Sequence, residues 1–329
     1  MKRTTPLRSL AFAVAGSAAL VTPLLAAPAH AAAPAAPPSP GPVARAQATA
    51  AADQQRVLRF WTAQRMRSAT PMTKLYKPKN TTLKAVRQGL AKVLPPVSTM
   101  SIPNGGAQWT GGGAVVKTAG RVFFTYQGRT ASCSGDAVTS TNKSTVITAG
   151  HCVKLDGAWH TDWVFVPGYD DGDRPYGTWT AARTLATPQW TAGEDLNYDV
   201  GAAVVNPLNG QNLVDVVGGQ GVAFNQTRGV AMYSFGYPAA APYDGSKLIY
   251  CSGTTINDFL GQTTIGLRCN MTGGSSGGPW FRSFNEATGT GIQNSVNSYK
   301  YNLPFLNAYM FGPYFGTDAQ NLYNQAQSS

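Results

Sequence analysis

From residue 101 onward the chain alternates short apolar runs with polar punctuation. Runs rich in β-branched and aromatic residues fall at 115–116, 122–126, 145–148, 163–166, 200–205, 229–235 and 263–267. Clusters of Gly, Pro, Asn and Asp separate them at intervals of roughly ten residues, which predicts strands joined by tight turns. Helical periodicity returns only at 317–327, where Asp318, Leu322 and Tyr323 suit one C-terminal helix. A stretch of this length holds one substantial core or two small β-barrels packed together. Upstream, Val57, Phe60, Trp61 and Gln64 follow Asp53 near helical spacing, so 53–67 is predicted as a short amphipathic helix with Asp53 as its N-cap. A second helix is expected at 82–93, before the Pro95-Pro96 break. Residues 32–50 are rich in Ala and Pro and show no pattern that could bury a face.

The N-terminus reads as an address. Lys2, Arg3 and Arg8 precede an apolar stretch from Leu10 to Leu25, and Ala29-His30-Ala31 supplies a small-x-small cleavage pattern. Pro23 interrupts the stretch and no stop-transfer charges follow it, so a signal peptide (1–31) fits better than a membrane anchor. The formal charge of +11 is unevenly placed. Residues 1–100 hold 14 Lys and Arg against one acid, Asp53, whereas the rest of the chain holds 12 against 14. The basic character therefore belongs to the N-terminal third, and nucleic acid is not an expected partner.

Four cysteines, all after residue 130, suit disulfides in an exported chain. Cys133 with Cys152 and Cys251 with Cys269 are the pairings that close short loops, although other pairings stay open. A zinc site at Cys133, His151 and Cys152 lacks the usual C-x2-C spacing. Asp170, Asp171 and Asp173 surround Gly172 as an acidic turn, read as solvated, with a calcium site as the lesser alternative.

Outside the signal peptide there are two histidines. His160, in Ala-Trp-His-Thr, has the neighbours of a surface loop residue. His151 ends an apolar run in Thr148-Ala149-Gly150-His151-Cys152, a setting that suits a general base. Such a base needs a carboxylate to hold its tautomer. Asp199 opens the apolar run 200–205, where an unpaired carboxylate would be costly; Glu194 and Asp195 lie in a more polar loop. A nucleophile turn needs small neighbours, and Gly273-Gly274-Ser275-Ser276-Gly277-Gly278-Pro279 provides them.

These three motifs, in the order His, Asp, Ser, resemble the chymotrypsin-type serine peptidases, in particular secreted bacterial trypsin-like and glutamyl-endopeptidase-like members, over roughly residues 110–315. The resemblance implies an all-β fold of two packed six-stranded antiparallel β-barrels with a C-terminal helix. It also implies a pro-segment (32–100) behind the signal peptide and a peptidase domain at 101–329. Ser276 would be the nucleophile, His151 the base and Asp199 its orienting partner. The N–H groups of Gly274 and Ser276 would form the oxyanion hole, and Cys133–Cys152 would be the family's disulfide beside the histidine. Protein or peptide substrates and the chain's own pro-segment are the expected partners of a monomer. No cofactor, metal or stable membrane association is expected.

The chain departs from the family at several positions. Ser275 replaces the Asp that many members carry before the nucleophile to bind a new N-terminus. Asn270, six residues before Ser276, stands where trypsin-like members carry Asp, which argues against strict cleavage after basic residues. Glutamate-specific members place a hydroxyl five residues before the nucleophile and a later histidine; here Met271 holds that position and no histidine follows His160. Asn270, Met271 and Ser295 are the candidate substrate contacts, with the run 295–299 lining the cleft. The mature chain is expected to start between Pro95 and Thr110. Two alternatives are a triad esterase and a non-catalytic binding protein on the same scaffold. Gly274 and Gly278 give Ser276 the G-x-S-x-G spacing of α/β-hydrolases, but the His–Asp–Ser order and the all-β pattern oppose that fold.

Overall fold

Apolar residues fill both faces of the strand Ala119–Tyr126, and both faces are covered. Val122, Phe124 and Tyr126 point one way, into a core with Val146, Ile147 and Phe165. Phe123 points the other way and packs with Val164, Val166 and Trp61. That two-sided burial explains why the strand reads as a continuous run and not as an alternation. The computed structural model describes residues 40–75, 102–260 and 262–329. The expected signal peptide and the expected helix at 82–93 lie outside the described residues.

A six-strand barrel forms the first half. Ala119–Tyr126 pairs with Arg129–Ala137, which pairs with Thr145–Thr148. The circuit continues through Gly201–Val205 and Trp179–Ala186 and returns by way of Thr161–Pro167. The second half comprises a 6-stranded sheet and a 3-stranded sheet. The larger runs in the order Gly221–Val222, Thr290–Val296, Pro279–Asn285, Ala231–Gly236, Ile249–Thr254 and Asn104–Gln108. The smaller joins Ile256–Asn257, Ile265–Arg268 and Tyr309–Gly312. Met232, Ile249, Leu267, Trp280 and Met310 form a core common to the two sheets, crossed by the Cys251–Cys269 disulfide. Pairing is antiparallel in this half except between Gly221–Val222 and Thr290–Val296. The C-terminal helix Thr317–Gln327 returns to the first barrel, burying Ala319, Leu322 and Ala326 in its core.

Pro40–Ser329 clusters as one compact unit, and residues 40–75 are built onto the first barrel. Val43–Ala46 pairs antiparallel with Trp179–Ala186, and Thr70–Pro71 pairs parallel with Arg129–Ala137. The single helix expected at 53–67 is two, Ala51–Phe60 and Ala63–Ser68. Trp61 breaks out of the helical path so that its ring is fully buried, and Thr62 restarts the helix by accepting from the Arg65 N–H. Asp53 lies in the first turn and does not serve as the N-cap.

Candidate active site

Thr148 pairs with Gly201 at the end of a two-strand ladder. Beyond Thr148 the chain turns through Gly150–Cys152, and before Gly201 it arrives through the turn Leu196–Tyr198. His151 and Asp199 therefore meet at one end of adjacent strands. Asp199 is fully buried and accepts three hydrogen bonds. The His151 N–H reaches Oδ1 at 2.8 Å, His151 Nδ1 reaches Oδ2 at 2.7 Å, and the Ser298 hydroxyl donates to Oδ2 at 2.5 Å. A carboxylate only accepts, so Nδ1 carries a proton, and in the neutral imidazole Nε2 then holds the lone pair. Nε2 has no hydrogen-bond partner among the described residues.

The turn bearing His151 is held by ring N–H donors. His160 Nε2 lies 2.9 Å from the carbonyl of His151, Trp163 Nε1 donates to that of Cys152 at 3.0 Å, and Trp190 Nε1 to that of Lys154 at 2.8 Å. Because its partner is a carbonyl, His160 Nε2 is the protonated nitrogen. His160 is not the surface residue its neighbours suggested. It is 1% exposed and stacks on Phe124 at 4.3 Å, and burial pushes its pKa down to about 3. The Cys133–Cys152 disulfide ties the same turn to the strand Arg129–Ala137.

Ser276 lies at the junction of the two halves, where its carbonyl accepts from the Ser134 N–H at 2.7 Å. Its loop is fixed by backbone bonds and by two side chains, with Ser134 Oγ donating to the Gly274 carbonyl at 2.9 Å and Asn297 Nδ2 to the Ser275 carbonyl at 3.1 Å. The N–H groups of Ser275, Gly277 and Gly278 bind the carbonyls of Thr272, Asn297 and Ser275. Those of Gly274 and Ser276 have no acceptor among the described residues. Gly274 has φ 99° and Gly277 φ 80°, conformations that favour glycine. A Cβ on Gly277 would lie 2.1 Å from Thr148 Oγ1 and 2.4 Å from the Ser134 carbonyl.

The three candidate substrate contacts are placed differently. Asn270 is slightly exposed; its N–H donates to the Gly105 carbonyl and its Oδ1 accepts from the Tyr243 hydroxyl, each at 2.7 Å. Met271 has no exposed surface and packs in the second core. Ser295 is also fully buried, with its hydroxyl on the Pro313 carbonyl at 2.8 Å. As placed here, neither Met271 nor Ser295 presents surface to a substrate. The residue that turns toward the site from this run is Ser298, three positions later, which sequence reasoning missed. Ser298 lies beyond the end of the strand Thr290–Val296, where strand alternation no longer says which way a side chain faces. Asp170 and Asp171 face Lys247 and Arg67, as a solvated turn does.

No family model matches the chain. A curated protein of Bacillus subtilis (strain 168) called extracellular metalloprotease is 30% identical over 180 residues, 53% of this chain; the chain spans about half that relative's length, 54%. Among solved structures, protease Anisep from Arthrobacter nicotinovorans is 49% identical, with a TM-score of 0.63 over 68% of this chain and 100% of that one. The thermostable serine protease AL20 from an extremophilic microorganism is 43% identical, with a TM-score of 0.62 over 66% of this chain and 99% of that one. A Glu endopeptidase, 16% identical over 70% of this chain and 100% of that one, shares the fold at a TM-score of 0.54. Among the described residues, no group fits the metal named for the Bacillus relative. The group best placed to hold an ion among the described residues is Cys133, His151 and Cys152, with ligand atoms within 4.8 Å of one another. Its two sulfurs are joined in a disulfide and its imidazole faces Asp199.

Proposed function

Since the chain belongs to the chymotrypsin-like serine peptidases, we propose that this serine endopeptidase works through Ser276, His151 and Asp199 and is made as an exported precursor. The observation that carries the reading is the complementary state of the two site halves. His151 is anchored through Nδ1 with Nε2 free, and the N–H groups of Gly274 and Ser276 are free beside the candidate nucleophile.

Ser276 Oγ attacks the scissile carbonyl carbon as its proton passes to His151 Nε2. Asp199 stabilises the imidazolium through the Nδ1–H bond. The oxyanion forms against the N–H groups of Gly274 and Ser276, each such donor contributing about 3–4 kcal/mol in enzymes of this chemistry. Collapse breaks the C–N bond, and His151 returns the proton to the leaving amine. Water then attacks the Ser276 ester, giving a proton to His151, and the carboxylic acid leaves as Ser276 regains its hydrogen. In the free enzyme Ser276 and His151 Nε2 are not bonded, as is common before substrate tightens such contacts.

Export is supported by the signal-peptide pattern and by two disulfides, which belong to an oxidising compartment. No helix among the described residues is long and apolar enough to cross a membrane. Processing is supported by length. Residues 102–329 are about 69% of the chain, close to the 68% and 66% that match the two serine proteases nearly end to end. A start between Pro95 and Ile102 would leave the strand Asn104–Gln108 whole. The test is casein hydrolysis by secreted wild type and Ser276→Ala. We expect about 10⁶-fold slower turnover in the variant. Equal rates would remove Ser276 from the mechanism.

A further inference from the structure

We propose that residues 40–75 remain seated on the first barrel as a separate, noncovalently held chain after the precursor is cut between residues 75 and 102. The inference rests on the processing described above and concerns what happens to the severed piece.

The barrel has an opening that this segment fills. Along the strand Trp179–Ala186, one side pairs with Gly201–Val205, but on the other side only Trp179 and Thr180 reach Thr161–Pro167. The rest of that edge is taken by the N-terminal segment, in the register Val43↔Ala186 to Ala46↔Arg183. Gln47 and Ala48 extend the ladder through bonds to the carbonyls of Ala182 and Ala181. Without them, strand backbone would stand unpaired at the surface, a template for association with other chains.

Apolar burial points the same way. Trp61, Met66 and Met72 have no exposed surface. Trp61 packs on Phe123 at 5.5 Å and donates through Nε1 to the Asp162 carbonyl at 2.6 Å. Removing the segment would open a patch around Phe123, Val164 and Val166, the kind that soluble chains keep covered. Charge agrees. Residues 40–75 carry six Lys and Arg against Asp53, and residues 102–329 carry 12 against 14 acids. Arg56 meets Asp162 at 2.7 Å and Arg67 meets Asp171 at 3.3 Å.

The segment's hydrogen bonds give no steric reason for expulsion. Beyond the segment itself, its partners are residues 131–132, 160, 162, 171, 174, 181–186 and 206, all in the first half. None is His151, Asp199, Asn270 or Ser276. The segment's hydrogen-bond link toward the site is supportive. Gln47 Nε2 donates to the His160 carbonyl at 3.0 Å, and His160 Nε2 in turn donates to the His151 carbonyl. A segment that holds the base's turn in place and leaves the nucleophile alone serves better bound than lost.

The experiment uses the full chain, expressed, secreted and purified while active, and compares native with denaturing mass spectrometry. We expect two polypeptides in equal amounts that travel together natively and separate in guanidinium, the smaller containing residues 40–75. Trp61→Ala should lose the smaller piece during native gel filtration. Gln47→Ala should keep it and lower kcat about 3- to 10-fold with KM unmoved. A cut, active catalytic chain that travels alone in the wild type overturns the proposal and leaves the processing intact. A single uncut chain overturns both, and a denaturing gel distinguishes the two results.

Discussion

On the His151 side of the site, side chains hold backbone. Three aromatic ring N–H groups hold the carbonyls of His151, Cys152 and Lys154, and a carboxylate with three donors holds the imidazole. On the Ser276 side, backbone bonds and the side chains of Ser134 and Asn297 hold a loop whose path depends on glycines at positive φ, and what matters is which N–H groups stay unbonded. The difference predicts two styles of failure. The first side weakens by steps as donors are deleted, because each contributes its own share. The second fails abruptly when a single Cβ is added, because nothing near it can give way.

Apart from loss of Ser276 itself, the largest effect is expected from Asp199→Asn. An amide facing Nδ1 favours the wrong imidazole tautomer, so kcat should fall about 10⁴-fold while fold and substrate affinity persist. Stopped assays on purified variant, with circular dichroism as control, check this. Gly277→Ala comes next and probes the other side. A side chain forced into φ 80° against the Ser134 carbonyl should destabilise by about 2–6 kcal/mol, read by denaturant unfolding. Normal stability there would mean the loop is not as constrained as described. Ser298→Ala removes one of three donors to Asp199 and should lower kcat about 10-fold, well short of the loss from Asp199→Asn.

The smallest effect on rate accompanies a change that is read in stability, through pH. Burial lowers the His160 pKa to about 3, against about 6.5 when unfolded. The unfolded chain binds more protons between those values, so this contribution is fully present above about pH 6.5. It is lost as pH falls toward about 3, to an extent of a few kcal/mol at most. Thermal unfolding of Ser276→Ala with and without His160→Phe, from pH 7 to 4, should show a shallower slope in the second. Parallel slopes would mean that His160 does not titrate as its burial requires.

The residues proposed to react each sit in a short local signature: His151 after an apolar run, Asp199 before one, Ser276 among glycines. What lay beyond reach depends on contacts distant in sequence. Polar neighbours in Ala-Trp-His-Thr gave no hint that Phe124 and the His151 carbonyl would bury His160. Ser298 lies past the end of its strand, and Met271 and Ser295 turned inward where alternation alone could not place them. The strand Val43–Ala46 had no apolar pattern to find. All four residues are exposed, and it forms because its backbone completes an open edge. The barrel architecture, by contrast, followed from strand punctuation and from the family resemblance together.

The most direct test of the account is to label secreted enzyme with a fluorophosphonate and locate the adduct by peptide mass spectrometry. The account predicts one phosphonyl group on Ser276, formed at a greatly reduced rate in His151→Ala. An adduct on Ser275, or an active enzyme that takes up none, would contradict it.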